Sequence, residues 1–279
     1  MKAKNILITG SSGYIGQSLV RALKIRAHVT GLDLKSIQND RCDEFIYCDI
    51  NNMPTLDKHY DVVVHLAALV NVGQSMQMPL SYFKTNFGGT LNLLENTSFD
   101  HFIFASTGAA ENPTSPYALS KRQAESMVKS YCSIVEKKFT VFRFYNVTGI
   151  GTIGPTNKDG LMYNLMRAKE TGLFNIFGKD YDTKDGTALR DYIHVMDVCD
   201  AIERAVYIPL EEDKSKIQNL GTGLGHTVLE MAEVFKKVNR CDFDIKFLPR
   251  RNGDLPKSVL NNPSPHFKNN YTIEQILRI

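Results

Sequence analysis

The sequence predicts an α/β protein: a doubly wound parallel sheet followed by a smaller C-terminal α/β lobe. Three observations carry this. Short apolar runs alternate with amphipathic stretches up to about residue 147, the pattern of a parallel sheet covered by helices on both faces. A glycine-rich turn joins the first apolar run to the first amphipathic stretch. Beyond residue 147 the pattern loosens, and polar glycine-containing loops (VTGIGTIGPTNKDG, GKDYDTKDG) separate shorter elements.

In chain order, the expected strands are NILIT (5–9), HVTGLD (28–33), EFIYCD (44–49), DVVVHLA (61–67), HFIFAS (101–106) and FTVFRFY (139–145). Each is a short apolar run bounded by polar or turn residues. Helices fit between them at 14–25, where Ile15, Leu19, Ala22 and Leu23 share a face, at about 79–96 and at about 116–137. In the second half, helices are expected at 159–172, 195–208 and 227–239, with a last one near 272–279. That last helix is marked by Thr272 and Gln275 at capping-box spacing.

Bulk properties narrow the function. The 279 residues carry 33 basic and 30 acidic side chains, a net charge of +3. So small an excess argues against nucleic acid or a membrane surface as partner, and an anion site must come from local placement. No run reaches the ~18 apolar residues of a membrane span. The five cysteines have neither CxxC nor metal-ligand spacing, which reads as reduced thiols in a cytoplasmic protein without metal.

The stretch ILITGSSGYIG sets Gly10, Gly13 and Gly16 between the first strand and the first helix. Glycines there let the backbone approach a pyrophosphate, which then lies on the positive end of the helix. The spacing is GxxGxxG, so the context matters: strand before, helix after, and Asp33 ending the second strand. This is the Rossmann-type arrangement. An acid at Asp33 accepts from a ribose and repels a 2′-phosphate, which favours NAD over NADP. Asp49, after the third strand, is placed to face the adenine, with a solvated loop acid as the plain alternative for both.

The stretch HFIFASTGAAENPTSPYALSKRQAE, residues 101–125, holds the candidate chemistry. Tyr117 and Lys121 are four apart and share a helix face. A buried ammonium beside a phenol favours the phenolate and brings a group of pKa ~10 toward neutral pH. Thr107, with Ser106 next in line, would supply a third hydroxyl for a proton relay. Such a relay suits hydride transfer, because an alcohol carbon that gives hydride to NAD has an oxygen that must lose a proton.

On these motifs the chain resembles the extended short-chain dehydrogenase/reductase superfamily, and within it the UDP-glucose (UDP-galactose) 4-epimerases. The resemblance runs nearly the whole length, through GYIG, NVGQS, MPLSYFKTNFGGTLNLL, SPYALSK, RFYNVTG, FGKDYDTKDGTALRDYIHVMD, NLGTG and RRNGDLP. It implies an NAD-binding Rossmann domain at 1–147, with 191–208 returning to it, and a UDP-sugar lobe at 148–279. By the same resemblance, Tyr14, Ile15, Ile50, Ala67, Ala68, Asn86, Ser106 and Tyr145 join the glycines, Asp33, Asp49, Tyr117 and Lys121 around NAD. Asn146 would contact the UDP-sugar with Thr107, Phe177 would lie near the uracil, Arg190 and Arg251 would bind the diphosphate, and Asp254 would take a ribose hydroxyl. Planar, permanently charged guanidinium forks suit a pyrophosphate.

The implied mechanism removes the C4 hydride while Tyr117 takes the 4-hydroxyl proton; the 4-ketopyranose turns about its diphosphate anchor and receives hydride on the other face. A homodimer through the helices near 79–96 and 116–137 is also implied. The chain departs from the family in several places. A loop usually containing VYG is missing between Thr107 and Tyr117, Val70 replaces a frequent lysine, and Gly160 replaces an asparagine. The segments after Asp33 and Leu260 are short. Together these suggest a more open pocket. Ser258 aligns where a small residue admits N-acetylated sugars in this family.

Two other readings stand beside this one. A nucleotide-sugar 4,6-dehydratase shares the fold and YxxxK, but that family places an Asp-Glu pair after the threonine, where this chain has Gly108 and Ala109. The same absence weighs against a UDP-glucuronate decarboxylase. From a different class, the chain could be a nucleotide-sugar-binding protein impaired in catalysis by its trimmed loop.

Overall fold

The structure is a computed structural model that describes residues 3–35, 42–207, 216–263 and 267–279. The first half runs β1 (Lys4–Thr9), α1 (Tyr14–Leu23), β2 (Ala27–Asp33), β3 (Glu44–Tyr47), β4 (Leu56–His65), α2 (Val72–Gln77), α3 (Pro79–Tyr82), α4 (Gly89–Glu95), β5 (Thr97–Thr107), α5 (Pro116–Ile134) and β6 (Lys138–Phe144). The second half runs β7 (Asn146–Thr148), α6 (Leu161–Thr171), β8 (Leu173–Phe177), β9 (Leu189–His194), α7 (Val195–Tyr207), β10 (Lys216–Leu220), β11 (Gly225–Thr227), α8 (Val228–Asn239), β12 (Asp244–Leu248), β13 (Lys257–Ser258) and α9 (Ile273–Leu277).

Seven parallel strands form the main sheet in the order β3-β2-β1-β4-β5-β6-β10. Alternate residues of each strand feed opposite faces, as the two-residue period of a strand requires. Ile6, Ile8, Val29, Val62 and Val64 pack with Leu19, Leu23, Val198 and Ile202 of α1 and α7 on one side. Leu7, Val63, Phe102, Phe104 and Val141 pack with Leu93, Ala124 and Val128 of α4 and α5 on the other. Because both faces are covered, the central strands read as unbroken apolar runs. The strand order reverses between β1 and β4, and the crevice outside their carboxyl ends is where such sheets bind ligands.

The smaller lobe has its own core of Met162, Leu165, Phe174, Ile176, Met231, Phe235 and Phe243. Two small sheets frame it: β8 with β12, and β9 with β7, β11 and β13. Its strands are two to six residues long, too short to show a period in sequence.

Differences from the sequence reading are local. The expected helix over 79–96 is helical from Pro79, but Phe83–Gly88 widens into a π-helical segment between α3 and α4. The short α2 was not anticipated, because it rests on an Asn71 side-chain cap rather than on a long apolar period. The last helix has its capping box as predicted, with Thr272 and Gln275 exchanging bonds. Residue 208, in the expected helix 195–208, lies outside the described residues. Among the described residues, no helix is long and apolar enough to cross a membrane.

Candidate active site

The glycine turn is dictated by closeness of backbone to backbone. Gly10 has φ +71°, and a Cβ on it would meet the Ala67 nitrogen at 2.7 Å. A Cβ on Gly16 would meet the Gly10 carbonyl oxygen at 2.1 Å. Helix α1 therefore follows β1 after only the four-residue turn 10–13, and Gly13 gives it no side-chain cap and no acid in its first turn. Its N-terminal N–H groups and positive dipole end are left for an anion. Beside them Ser11 Oγ is buried with no hydrogen-bond partner among the described residues. Asp33 closes the turn by accepting from the Ser12 N–H at 3.0 Å and the Lys35 N–H at 3.1 Å. The turn is thus a tight, donor-rich cradle with an acid at its lip, which fits NAD.

Other residues assigned to that end are structural partners as well. Asp49 caps the 3-10 turn Ile50–Asn52, accepting from the Asn51 N–H at 2.9 Å, and buried Ile50 packs beneath Gly89. Ile15 packs against the core beside Cys199. The Tyr14 hydroxyl donates to the Gly149 carbonyl at 2.6 Å, and burial pushes its phenol far up. Ala67 and Ala68 follow β4 and are half-buried. Asn86, in the π-helical segment, is 1% exposed. It accepts from the Leu69 N–H at 2.8 Å and donates to the Leu69 carbonyl at 3.0 Å and the Ser120 hydroxyl at 3.1 Å. Ser120 in turn donates to the Tyr117 carbonyl at 2.8 Å, so Asn86 fixes the turn of α5 that carries the tyrosine. A π-segment at such a point is a frequent mark of a functional site.

Helix α5 begins under a Ser115 cap with Pro116 in its first turn, immediately before Tyr117. The Tyr117 hydroxyl lies beside the Thr107 side chain at the end of β5. Burial pushes the Tyr117 phenol up to about 12, the Thr107 hydroxyl opposes this, and Tyr82 adds to the rise. Tyr82 presents its edge to Tyr117, with ring centroids 6.3 Å apart. Lys121 is 3% exposed, its Nζ 4.2 Å from the Phe104 ring centroid. Burial holds its pKa down at about 7, against the nearby Glu125 carboxylate. Ser106 donates to Glu125. Gly108 lies under the Tyr145 ring, where a Cβ would meet Cε2 and Cζ at 2.7 Å. No larger side chain fits at the position after Thr107 without moving that ring.

A second cluster forms at the ends of β8, β9 and β13. The Arg251 guanidinium lies 4.8 Å over the Phe177 ring, and its Nε donates to Asp254 at 2.9 Å. Arg190 pairs in register with Ser258 and donates to the Leu189 carbonyl at 2.9 Å. Asn146 on β7 donates to the Asp191 carbonyl at 3.1 Å. The Arg250 guanidinium lies 4.2 Å over the Tyr181 ring, and the Tyr181 hydroxyl is buried with no hydrogen-bond partner among the described residues. Val70 is exposed, and Gly160 is the N-cap of α6.

The structure thus gathers Thr107, Tyr117 and Lys121 at one end and Phe177, Arg190, Arg251, Asp254 and Ser258 at the other. Tyr82, Glu125, Arg143, Tyr181 and Arg250 were missed in sequence. Only Glu125 carried a signal there, as the next member of the i, i+4 row from Tyr117 and Lys121.

Residues 6–221 match the NAD dependent epimerase/dehydratase family. A UDP-glucose 4-epimerase of Rhizobium meliloti (strain 1021) is 33% identical over 298 residues, covering 94% of this chain and 90% of the relative. The UDP-glucose-4-epimerase from Stenotrophomonas maltophila, solved with NAD and formylated UDP-arabinopyranose, superposes with a TM-score of 0.85 at 25% identity, covering 98% of this chain and 96% of that one. The UDP-Glc/GlcNAc 4-epimerase of Campylobacter jejuni superposes with a TM-score of 0.79 at 30% identity, covering 99% and 97%.

Proposed function

The chain belongs to the NAD dependent epimerase/dehydratase family, and from that premise we propose that it is an NAD-dependent 4-epimerase of UDP-hexoses. One observation carries the reading: Thr107 beside Tyr117, with Lys121 one turn along α5, at the carboxyl end of a sheet that opens with the glycine turn. NAD, when bound, supplies reversible hydride acceptance at the sugar C4. Gly10, Gly13 and Gly16 give it room, the α1 N-terminus takes its pyrophosphate, and Asp33 takes its adenosine ribose. Tyr117 withdraws the proton of the 4-hydroxyl and returns it, Thr107 shares that hydroxyl, and the Lys121 ammonium favours the phenolate. Arg190 and Arg251 hold the diphosphate while the sugar turns, Phe177 faces the uracil, and Asp254 receives a ribose hydroxyl. On this reading residues 1–147 and 191–208 serve NAD, and the rest serves the UDP-sugar.

A 4,6-dehydratase would need an acid directly after the threonine, and the Tyr145 ring fills the space above Gly108. Ser258 beside Arg190 extends the substrate range toward UDP-N-acetylhexosamines. Leu80, Leu91, Leu119 and Ile134 are exposed on α3, α4 and α5, which supports a homodimer through these helices; a monomer by light scattering at micromolar concentration would refute it.

The test is to incubate the protein with UDP-glucose, UDP-galactose and their N-acetylhexosamine counterparts without added NAD, and to follow products by proton NMR. Interconversion of C4 epimers is expected. A 4-keto-6-deoxy product would establish the dehydratase, and UDP binding without turnover of any of the four would leave a binding protein.

A further inference from the structure

Tyr117, Lys121 and Glu125 stand at successive turns of α5. Glu125 is 3% exposed, yet it is ringed by donors. Its Oε1 accepts from Arg143 Nε at 2.9 Å and from the Ser106 hydroxyl, and its Oε2 accepts from Arg143 Nη2 at 2.7 Å. Such a pair is weak evidence for stability, since well-packed apolar residues often replace one without loss. What it adds is a carboxylate held in a fixed place.

One turn earlier on the same face of α5 stands Lys121, so the two side chains are neighbours on the helix surface. Its ammonium lies on the Phe104 face and bonds to no oxygen among the described residues. Several other groups face this region from the neighbouring elements. Tyr117 lies on α5 itself, and Tyr82 of α3 donates its hydroxyl to Gln74 at 2.9 Å. His65 of β4 is held neutral by burial, and secondly by the Lys121 charge, between the hydroxyls of Thr9 and Thr90. Thr107 and Ser106 come from β5, and Arg143 of β6 is taken up by Glu125. Glu125 is the one negative charge acting on Lys121 among the described residues.

We propose that Glu125 is a positioning residue for proton transfer: anchored by Arg143 and Ser106, it supplies the counter-charge of the Lys121 ammonium and, through Lys121, supports the Tyr117 phenolate. This rests on the proton-transfer role given to Tyr117 and Lys121 above. Without Glu125, an ammonium in apolar surroundings gives up its proton, and a neutral lysine no longer favours phenolate.

The experiment titrates the NAD-loaded protein by ultraviolet difference absorbance, with Tyr117→Phe subtracted to isolate the Tyr117 phenolate. In Glu125→Gln the phenolate midpoint should move to higher pH, leaving about tenfold less phenolate at a given pH below it. Glu125→Asp, which keeps the charge, should recover most of the loss. Because Glu125→Gln leaves Arg143 buried without its partner, the double variant Glu125→Gln/Arg143→Gln is titrated beside it, and its midpoint should also rise. An unmoved midpoint in a folded variant that retains NAD overturns the role of Glu125. A titration that Tyr117→Phe does not abolish instead overturns the proton-transfer reading on which it rests.

Discussion

The two charged clusters of this molecule use the same residue types in opposite ways. On α5 and its neighbouring strands, Lys121, Glu125 and Arg143 are buried, and Glu125 and Arg143 are locked together. At the ends of β8 and β9, the side chains of Arg250 and Arg251 are 45% and 40% exposed, and each is paired to a carboxylate. The first cluster sits in a low-dielectric interior where a single charge changes the chemistry of its neighbour. The second is half in water, so its ion pairs are weak and exchangeable. Proton chemistry needs the fixed arrangement; capture and release of an anion needs the loose one.

The largest expected effect breaks the buried side of this comparison. Tyr117→Phe should lower epimerase turnover by about 10²–10⁴-fold, the usual worth of a positioned acid-base group, with UDP affinity nearly unchanged by calorimetry. Equal activity would send the proton elsewhere. Next comes stability: Glu125→Ala strands Arg143 and should cost about 3–5 kcal/mol in denaturant unfolding, as loss of one partner of a buried pair does. The matching change on the exposed side, Asp180→Ala, should cost far less, because solvent screens that pair. Similar costs for both would erase the contrast.

Arg251→Gln should weaken UDP binding about tenfold, one lost charge-assisted contact, and the loss should shrink as salt is added. The smallest effect is on the pH dependence of stability. Burial lowers Lys121 to about 7 in the folded state from an ordinary 10.5, so at neutral pH part of it remains the ammonium that Tyr117 needs. Between those values the unfolded chain binds a proton that the native one lacks, so this group makes stability rise with pH. Lys121→Met should flatten that slope, and an unchanged slope would mean the lysine stays charged when folded.

Much of this was legible in the residues. The strands of the main sheet announced themselves because burial on both faces leaves unbroken apolar runs such as Leu7 between Ile6 and Ile8. The glycine turn was legible because Gly10 and Gly16 stand where no Cβ fits. Tyr117 and Lys121 were legible as one helix turn. The strands of the smaller lobe were not, since two to six residues carry no period, and the joining of β10 to β6 depends on a chain return that local sequence does not encode.

The sequence by itself determined the sheet, the cofactor turn and the Thr107–Tyr117–Lys121 group, because each follows from local sterics or from spacing along one element. Only the tertiary structure decided which charges meet. Glu125 and Arg143 are separate in sequence and meet between α5 and β6, Tyr145 covers Gly108, and Arg251 settles over Phe177. Those encounters depend on how separate elements pack. Electrostatic energy depends on distance and burial together, and neither is written in the order of residues.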